Sequence, residues 1–312
     1  MWVWIPRFAY SITSGYHSTT AGTIEVEFMK GLTNETSTGR TSFNNASGQG
    51  NWNIHPAFNY GQTVSGIWVA KFEASSVQGN SNSSGGDNVT TKTLQVKPGV
   101  ASWRYIQIGN MYTVCLNYNK TLNSHMMKND EWGAVAYLSK SKYGKQNEEV
   151  TINSNSSYYT GGGSGNAYVT NVAQSTTGTV EGVYDMSGGS WEYVAAYVNN
   201  GNGNLNTYGS SLVSGEAKTK NVYTMGSGDT RQANYNANAG VYGDAVYETS
   251  NGYDSSNQSW HGDYSSFPFS SIPFFGRGGG YNVGSSAGVF WFSSDIGDWL
   301  SGISFRPVLV AL

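Results

Sequence analysis

Charge is the scarcest ingredient of this 312-residue chain. Asp, Glu, Lys and Arg make up 12% of it, about half the roughly 25% of an ordinary soluble domain. The 17 basic and 20 acidic side chains leave a formal net charge of -3. With no basic excess, nucleic acid is not an expected partner, because phosphate contacts need a basic face. Cysteine is nearly absent. The lone Cys115 cannot form an internal disulfide, and no CxxC pair is present to frame a zinc site. His17, His55, His125 and His261 are scattered, without the close pair spacing of a transition-metal centre. No apolar run approaches the ~18 residues that read as a membrane span. The longest are short, as at Gly288–Phe292 and Val308–Leu312. No basic segment precedes an apolar stretch at the N-terminus, so no signal peptide is read there. Met1 runs straight into Trp2-Val3-Trp4-Ile5, a strand already under way. We therefore expect a chain whose upstream part is missing.

What is abundant argues for a packed fold. The chain holds 10 Trp, 22 Tyr and 12 Phe, 14% aromatic in all. Disordered chains lack such residues because they cannot bury enough apolar surface to offset chain entropy. The 41 glycines, with Ser and Asn, gather in tracts at about 78–88, 161–166, 199–215 and 233–240. We read these as surface loops. Asn-x-Ser/Thr triplets, as at Asn34, Asn88 and Asn119, arise by chance in such a composition. No repeat of 20–50 residues is present, which disfavours a solenoid or propeller.

Two segments have helical periodicity. One is expected to begin near Ser102 as N-cap, with Met111, Val114, Cys115 and Tyr118 on one face. Cys115 then belongs to a packed, inert face. The second is expected to use Asn129 as cap, with Asp130 and Glu131 at the positive end of the helix dipole. Trp132, Val135 and Ala136 form its apolar face, and Gly144 is the natural stop. Strands are expected at Ile67–Glu73, Gly182–Tyr184, Trp191–Tyr197, Val289–Phe292 and Ser304–Leu309. Pro307 marks the last as an edge or terminal strand. The pattern defines an α+β class: two helices among many short antiparallel strands and long loops.

A few residues stand out on chemical grounds. Gly188-Gly189 permits a tight turn that a Cβ would resist, and Trp191 can plug the core beside it. Asp185 and Glu192 are placed to hold backbone amides or neighbouring groups around that turn. Arg277 and Arg306 are rare cations near the C-terminus. Each is expected to be fixed by a carboxylate or by carbonyls, because a buried unpaired charge is costly.

Five blocks, in order, resemble the sulfatase-modifying, formylglycine-generating family. They are Gly66-Ile67-Trp68-Val69-Ala70-Lys71-Phe72-Glu73, Asn129-Asp130-Glu131-Trp132, Gly182 through Tyr193, Arg277-Gly278-Gly279, and Ser304-Phe305-Arg306-Pro307-Val308. The resemblance implies a C-type-lectin-like fold over 1–312 as a single domain. The enzymes of that family depend on two cysteines soon after the Arg-Gly-Gly block. The matching stretch here, Gly280 to Gly288, has none. The inherited activity is therefore expected to be absent, with no catalytic residues and no cofactor. A calcium ion on Asp and Glu side chains is compatible with the resemblance, but no EF-hand spacing singles out ligands.

The segment 273–309 also resembles the variable region of lectin-fold proteins diversified by retroelements, of which phage tropism determinants are the known type. That resemblance implies a scaffold of Phe275, Arg277, Gly278, Gly279, Gly284, Ala287, Gly288, Val289, Phe290, Phe292, Gly297, Phe305 and Arg306. It implies ligand-binding positions at Gly276, Gly280, Tyr281, Asn282, Val283, Ser286, Trp291, Ser293, Ser294, Asp295, Ile296, Asp298, Trp299, Leu300, Ser301 and Ile303. Tyr281, Trp291 and Trp299 are expected as rigid aromatic anchors and Ser and Asn as adaptable hydrogen-bonding groups, as in antibody paratopes. Strict alternation would bury Phe290 and Phe292 and leave Trp291 on the opposite face, where it is either displayed or a core strand residue. The expected function is non-enzymatic binding of a protein or glycan on a host cell surface, from a phage tail or a bacterial surface. A homotrimer is compatible with the resemblance, since such tail proteins are trimeric. Two rivals stay open: an enzyme that kept the fold and changed its chemistry, and a purely structural virion component.

Overall fold

Trp2 and Trp4 alternate with Val3 and Ile5, so the first segment presents two different faces. A computed structural model describes residues 1–312. This segment there forms β1 (Trp2–Pro6), antiparallel to β2 (Gly66–Ala70), with Val3 opposite Val69 and Trp4 opposite Trp68. Ile5, Ile67 and Val69 enter the core, while Trp4 and Trp68 stack outside it with centroids 5.1 Å apart. β2 stops at Ala70, short of the expected Glu73. Glu73 is turned inward, where its Oε1 accepts the Ser190 N–H at 2.8 Å.

Helix α1 (Ile108–Tyr118) buries Met111, Val114 and Cys115, as its periodicity requires, while Tyr118, expected on the same face, is exposed at the helix end. It starts six residues after the expected cap. Ser102 instead bonds Ser190 side chain to side chain at 2.7 Å. Tyr105 between them sits at φ +58, and its N–H goes to the carbonyl of Leu300, which blocks a helix there. Helix α2 (Asn129–Lys140) begins after Lys128, whose N–H is accepted by Glu131 Oε2 at 2.9 Å. Asn129 is thus the first helical residue and not the cap, and its side chain donates to the Tyr223 hydroxyl. The helix ends at Lys140, before Gly144.

Three tracts expected as loops are α-helical in part. Gly203–Ser214 forms α3, capped by Asn202, and Arg231–Ala237 forms a further short helix. With the single turn Ser84–Asp87 there are five α-helical segments where two were expected. α3 lies against α1 at Gly109, where an added Cβ would stand 2.8 Å from the Tyr208 carbonyl oxygen.

The largest sheet is built around β3 (Trp191–Val198), β4 (Phe274–Gly278) and β5 (Gly288–Asp295). β4 runs antiparallel to both neighbours. The expected strand at 304–309 is two strands that change sheets at Arg306. β6 (Ile303–Phe305) joins β3 in parallel, and β7 (Pro307–Leu309) lies between β2 and His125–Met126 in a second sheet. β7 is therefore interior, not an edge; its proline is tolerated at the first strand position. Gly182–Tyr184 is not a strand, and it leads directly into Asp185 at φ +63. The pairing is mostly antiparallel, but Asn221–Tyr223 on β3 and Ser265–Ser266 on β5 are parallel, like β6 on β3. No helix is long and apolar enough to cross a membrane.

Candidate functional site

The turn before β3 is locked from several sides. Gly188 and Gly189 have φ +74 and +75, and a Cβ on Gly188 would meet the backbone of Asn153. Asp185 accepts the Gly161 N–H at 2.8 Å and the Asn153 side chain at 2.9 Å. Arg306, fully buried, bonds Glu192 from its Nε at 3.2 Å and from a terminal nitrogen. Its other contacts are the carbonyls of Ala70 and Tyr184. Burial pushes the Glu192 carboxyl up and the Arg306 charge opposes that shift. Arg277 has no carboxylate partner. Carbonyls of Asp244 and Ala245 accept from it, the Trp132 ring lies 5.5 Å away, and burial lowers its pKa to about 10. Both arginines thus serve the scaffold, as their scarcity suggested.

This scaffold carries an open pocket of about 410 Å³. Its walls are Tyr158, Trp191, Leu300 and Ile303, and its polar lining is Asn282, Ser293, Asp295 and Ser301, with Gly276 and Gly302. Ser293 and Asp295 share one face of β5 by alternation. Trp191 opens β3 and is half-buried between two glycines; a Cβ on Gly280 would be 2.6 Å from its ring, and one on Gly302 2.8 Å. Tyr158 stands at φ +57, a conformation rare for a bulky side chain. Its ring is clamped by Arg104 at 3.9 Å and meets Tyr281 edge-on at 5.0 Å.

Asp295 is the most constrained polar group of the pocket. Its Oδ1 accepts the Tyr193 hydroxyl at 2.6 Å and the Ile296 N–H at 2.6 Å, with the Gly297 N–H at 3.4 Å. Oδ2 accepts no hydrogen bond from the protein. Burial and this carboxylate push the Tyr193 phenol well above its ordinary value. Asp298, on the following loop, is also pushed up, by burial and by the charge of Asp295.

The candidate positions separate cleanly. Gly276, Asn282, Ser293, Asp295, Leu300, Ser301 and Ile303 converge on the pocket. Trp299 is exposed beside it, edge-on to Tyr208 at 6.0 Å. Tyr281 adjoins it through Tyr158. Val283, Ser286, Ile296 and Asp298 are half-buried on neighbouring loops, outside the lining. Ser294 points the other way, to the Ser266 hydroxyl at 3.2 Å. Four positions are not displayed. Trp291 is 6% exposed because Tyr264 covers its ring at 4.7 Å, so it is no surface anchor. Gly280 is buried against Trp191, and Gly276 and Ile303 are buried at the pocket floor.

Three residues of the site lie outside the segment that the sequence singled out. The sequence pattern puts Trp191 in the core, and Tyr158 and Arg104 carry no sequence signal. Strained backbone at a tyrosine has no local sequence mark. No three His, Cys, Asp or Glu side chains are grouped to hold a metal ion. Burial lowers His55 to about 3 and His261 to about 4. Neither lines the pocket.

Fold and site together define an α+β protein with mostly antiparallel sheets and an open, aromatic-walled pocket. Compared with protein-family models and with curated proteins, the chain finds no match in either.

Proposed function

We propose that the chain is a non-enzymatic ligand-binding protein and that the Trp191–Asp295 pocket is its binding surface. The observation that carries this is convergence: seven of the sixteen positions named in 273–309 meet at one cavity with an aromatic wall, and five of them, Asn282, Ser293, Asp295, Leu300 and Ser301, are exposed or half-buried. Aromatic walls with a few fixed polar groups are the usual make-up of recognition sites. The lectin-like scaffold, the retroelement-diversified segment and a phage-tail or bacterial-surface setting belong to the same proposal. They rest on the sequence blocks and on the firm backbone beneath a mixed set of side chains. Binding of a protein or glycan ligand on a host cell surface is the function these features support.

The test is adhesion of the purified chain to host cells. Leu300→Ala with Ser301→Ala is expected to weaken adhesion at least tenfold while leaving the thermal midpoint unchanged, since both residues are exposed. Unchanged adhesion in a folded double variant contradicts the proposal and favours a structural role.

A further inference from the structure

We infer that the pocket takes a cation with an apolar stem, the guanidinium or ammonium end of an Arg- or Lys-like side chain on a protein ligand. This rests on the proposed binding role of the pocket and narrows it to one ligand chemistry.

Charge decides first. Asp295 is the only ionisable acid lining the cavity, and no Lys, Arg or His lines it. Arg104, behind Tyr158, is already committed: it donates to the Ser301 carbonyl and to Asn82 Oδ1, and its guanidinium packs on the Tyr158 ring. Its guanidinium faces no carboxylate, but it lies behind the Tyr158 ring and outside the lining, so an anionic ligand meets no cation in the cavity itself. A cation finds a carboxylate whose Oδ1 is held by Tyr193, Ile296 and Gly297 and whose Oδ2 is left over. Such a carboxylate is preorganised, so little ordering remains to be done on binding. Charge-assisted hydrogen bonds to it are the strong kind. Asp298, outside the lining, is pushed up by burial and by the charge of Asp295, so a second carboxyl lies in the neighbourhood of the pocket.

Shape decides next. Trp191, Tyr158, Leu300 and Ile303 offer apolar and aromatic surface to an aliphatic stem, and aromatic faces attract cations further. A volume of about 410 Å³ accommodates one long side chain with some water. A neutral sugar would bond Asn282, Ser293, Ser301 and the free Asp295 Oδ2 through its hydroxyls, but only a cation would also neutralise the carboxylate charge.

The experiment titrates the intact chain with Nα-acetyl-arginine amide, Nα-acetyl-citrulline amide and methyl α-glucopyranoside. The readout is the Trp191 indole N–H resonance, assigned with Trp191→Phe. Citrulline keeps the shape of arginine and removes its charge. The arginine amide is expected to shift the resonance saturably, at least about tenfold more tightly than citrulline, the size of one charge-assisted contact. Added salt should narrow that gap. Asp295→Asn should abolish it, while Glu148→Gln, at an exposed position, should not. Equal binding of arginine and citrulline, or binding of the glucoside alone, overturns the cation assignment and leaves the pocket a binding site. No shift with any of the three also overturns it, and the Leu300/Ser301 adhesion result then judges the binding role separately.

Discussion

Tyr193 on β3 donates its hydroxyl to Asp295 Oδ1 on β5 across 2.6 Å, bridging over the intervening strand β4. The bond fixes the one charged side chain of the pocket to a residue that is itself fully buried. Removing the hydroxyl by Tyr193→Phe is expected to cost about 1.5–3 kcal/mol, the range for hydrogen bonds to charged groups. Chemical denaturation measures the loss. Asp295 in the variant should also lose its fixed orientation, seen as faster amide exchange at Ile296 and Gly297.

Arg306→Ala should be far more damaging. It leaves Glu192 buried without its partner, a change that typically costs ~3–5 kcal/mol. Glu192→Gln with Arg306→Met should recover part of that loss, because two neutral groups replace a buried pair. A double-mutant cycle by urea unfolding reads the coupling, and a coupling near zero would contradict the assigned ion pair.

Gly280→Ala tests the seating of Trp191. Its Cβ would stand 2.6 Å from the indole, so the ring must shift. We expect a change in tryptophan emission and destabilisation of about 1–3 kcal/mol, the usual cost of overpacking. Gly284→Ala is not an equivalent control despite open space around it, since Gly284 has φ +67. Gly203→Ala meets nothing within 4 Å and should leave the emission unchanged.

His55 gives a pH prediction with a definite sign. Its Nδ1 accepts the Ala57 N–H and burial pushes its pKa down to about 3, from an ordinary 6.5. Between those values the unfolded chain holds more protons than the folded one. The stability His55 contributes is full above pH 6.5 and is lost as pH falls toward 3. Glu248 acts in the opposite sense. Burial raises it to about 7 from 4.5, so its contribution is full below pH 4.5 and is lost as pH rises through 7. The His55 ring resonance should stay flat from pH 8 to 5, and Glu248→Gln should remove part of the decline in thermal midpoint between pH 4.5 and 7.

The parts of the fold with strong local chemistry were legible in the sequence. The Gly188-Gly189 turn, the buried face of α1 and the scaffold arginines follow from glycine freedom, helical period and the cost of a lone buried charge. α3 was hidden because Gly203, Gly209 and its many polar residues have low helix propensity. Only Leu205, Tyr208 and Leu212 hint at a face, and the helix is stabilised by close packing on Gly109. In the site, Ser293 and Asp295 were named from the resemblance, and alternation along β5 puts both on one face. It also puts Trp291 on their face, but the Tyr264 ring that covers it comes from 27 residues upstream. Tyr158 and Arg104 enter through tertiary contacts and a positive φ, which no periodicity encodes.

The display claim meets its most direct test in the coding locus. Sequencing around the gene should reveal an imperfect second copy of the 273–309 stretch beside a reverse-transcriptase gene. Its differences should fall at adenines and cluster in the codons of pocket residues such as Asn282, Ser293, Leu300 and Ser301, sparing Arg277, Phe292 and Arg306. Absence of a second copy, or differences spread over all four bases and over scaffold codons alike, would contradict the account.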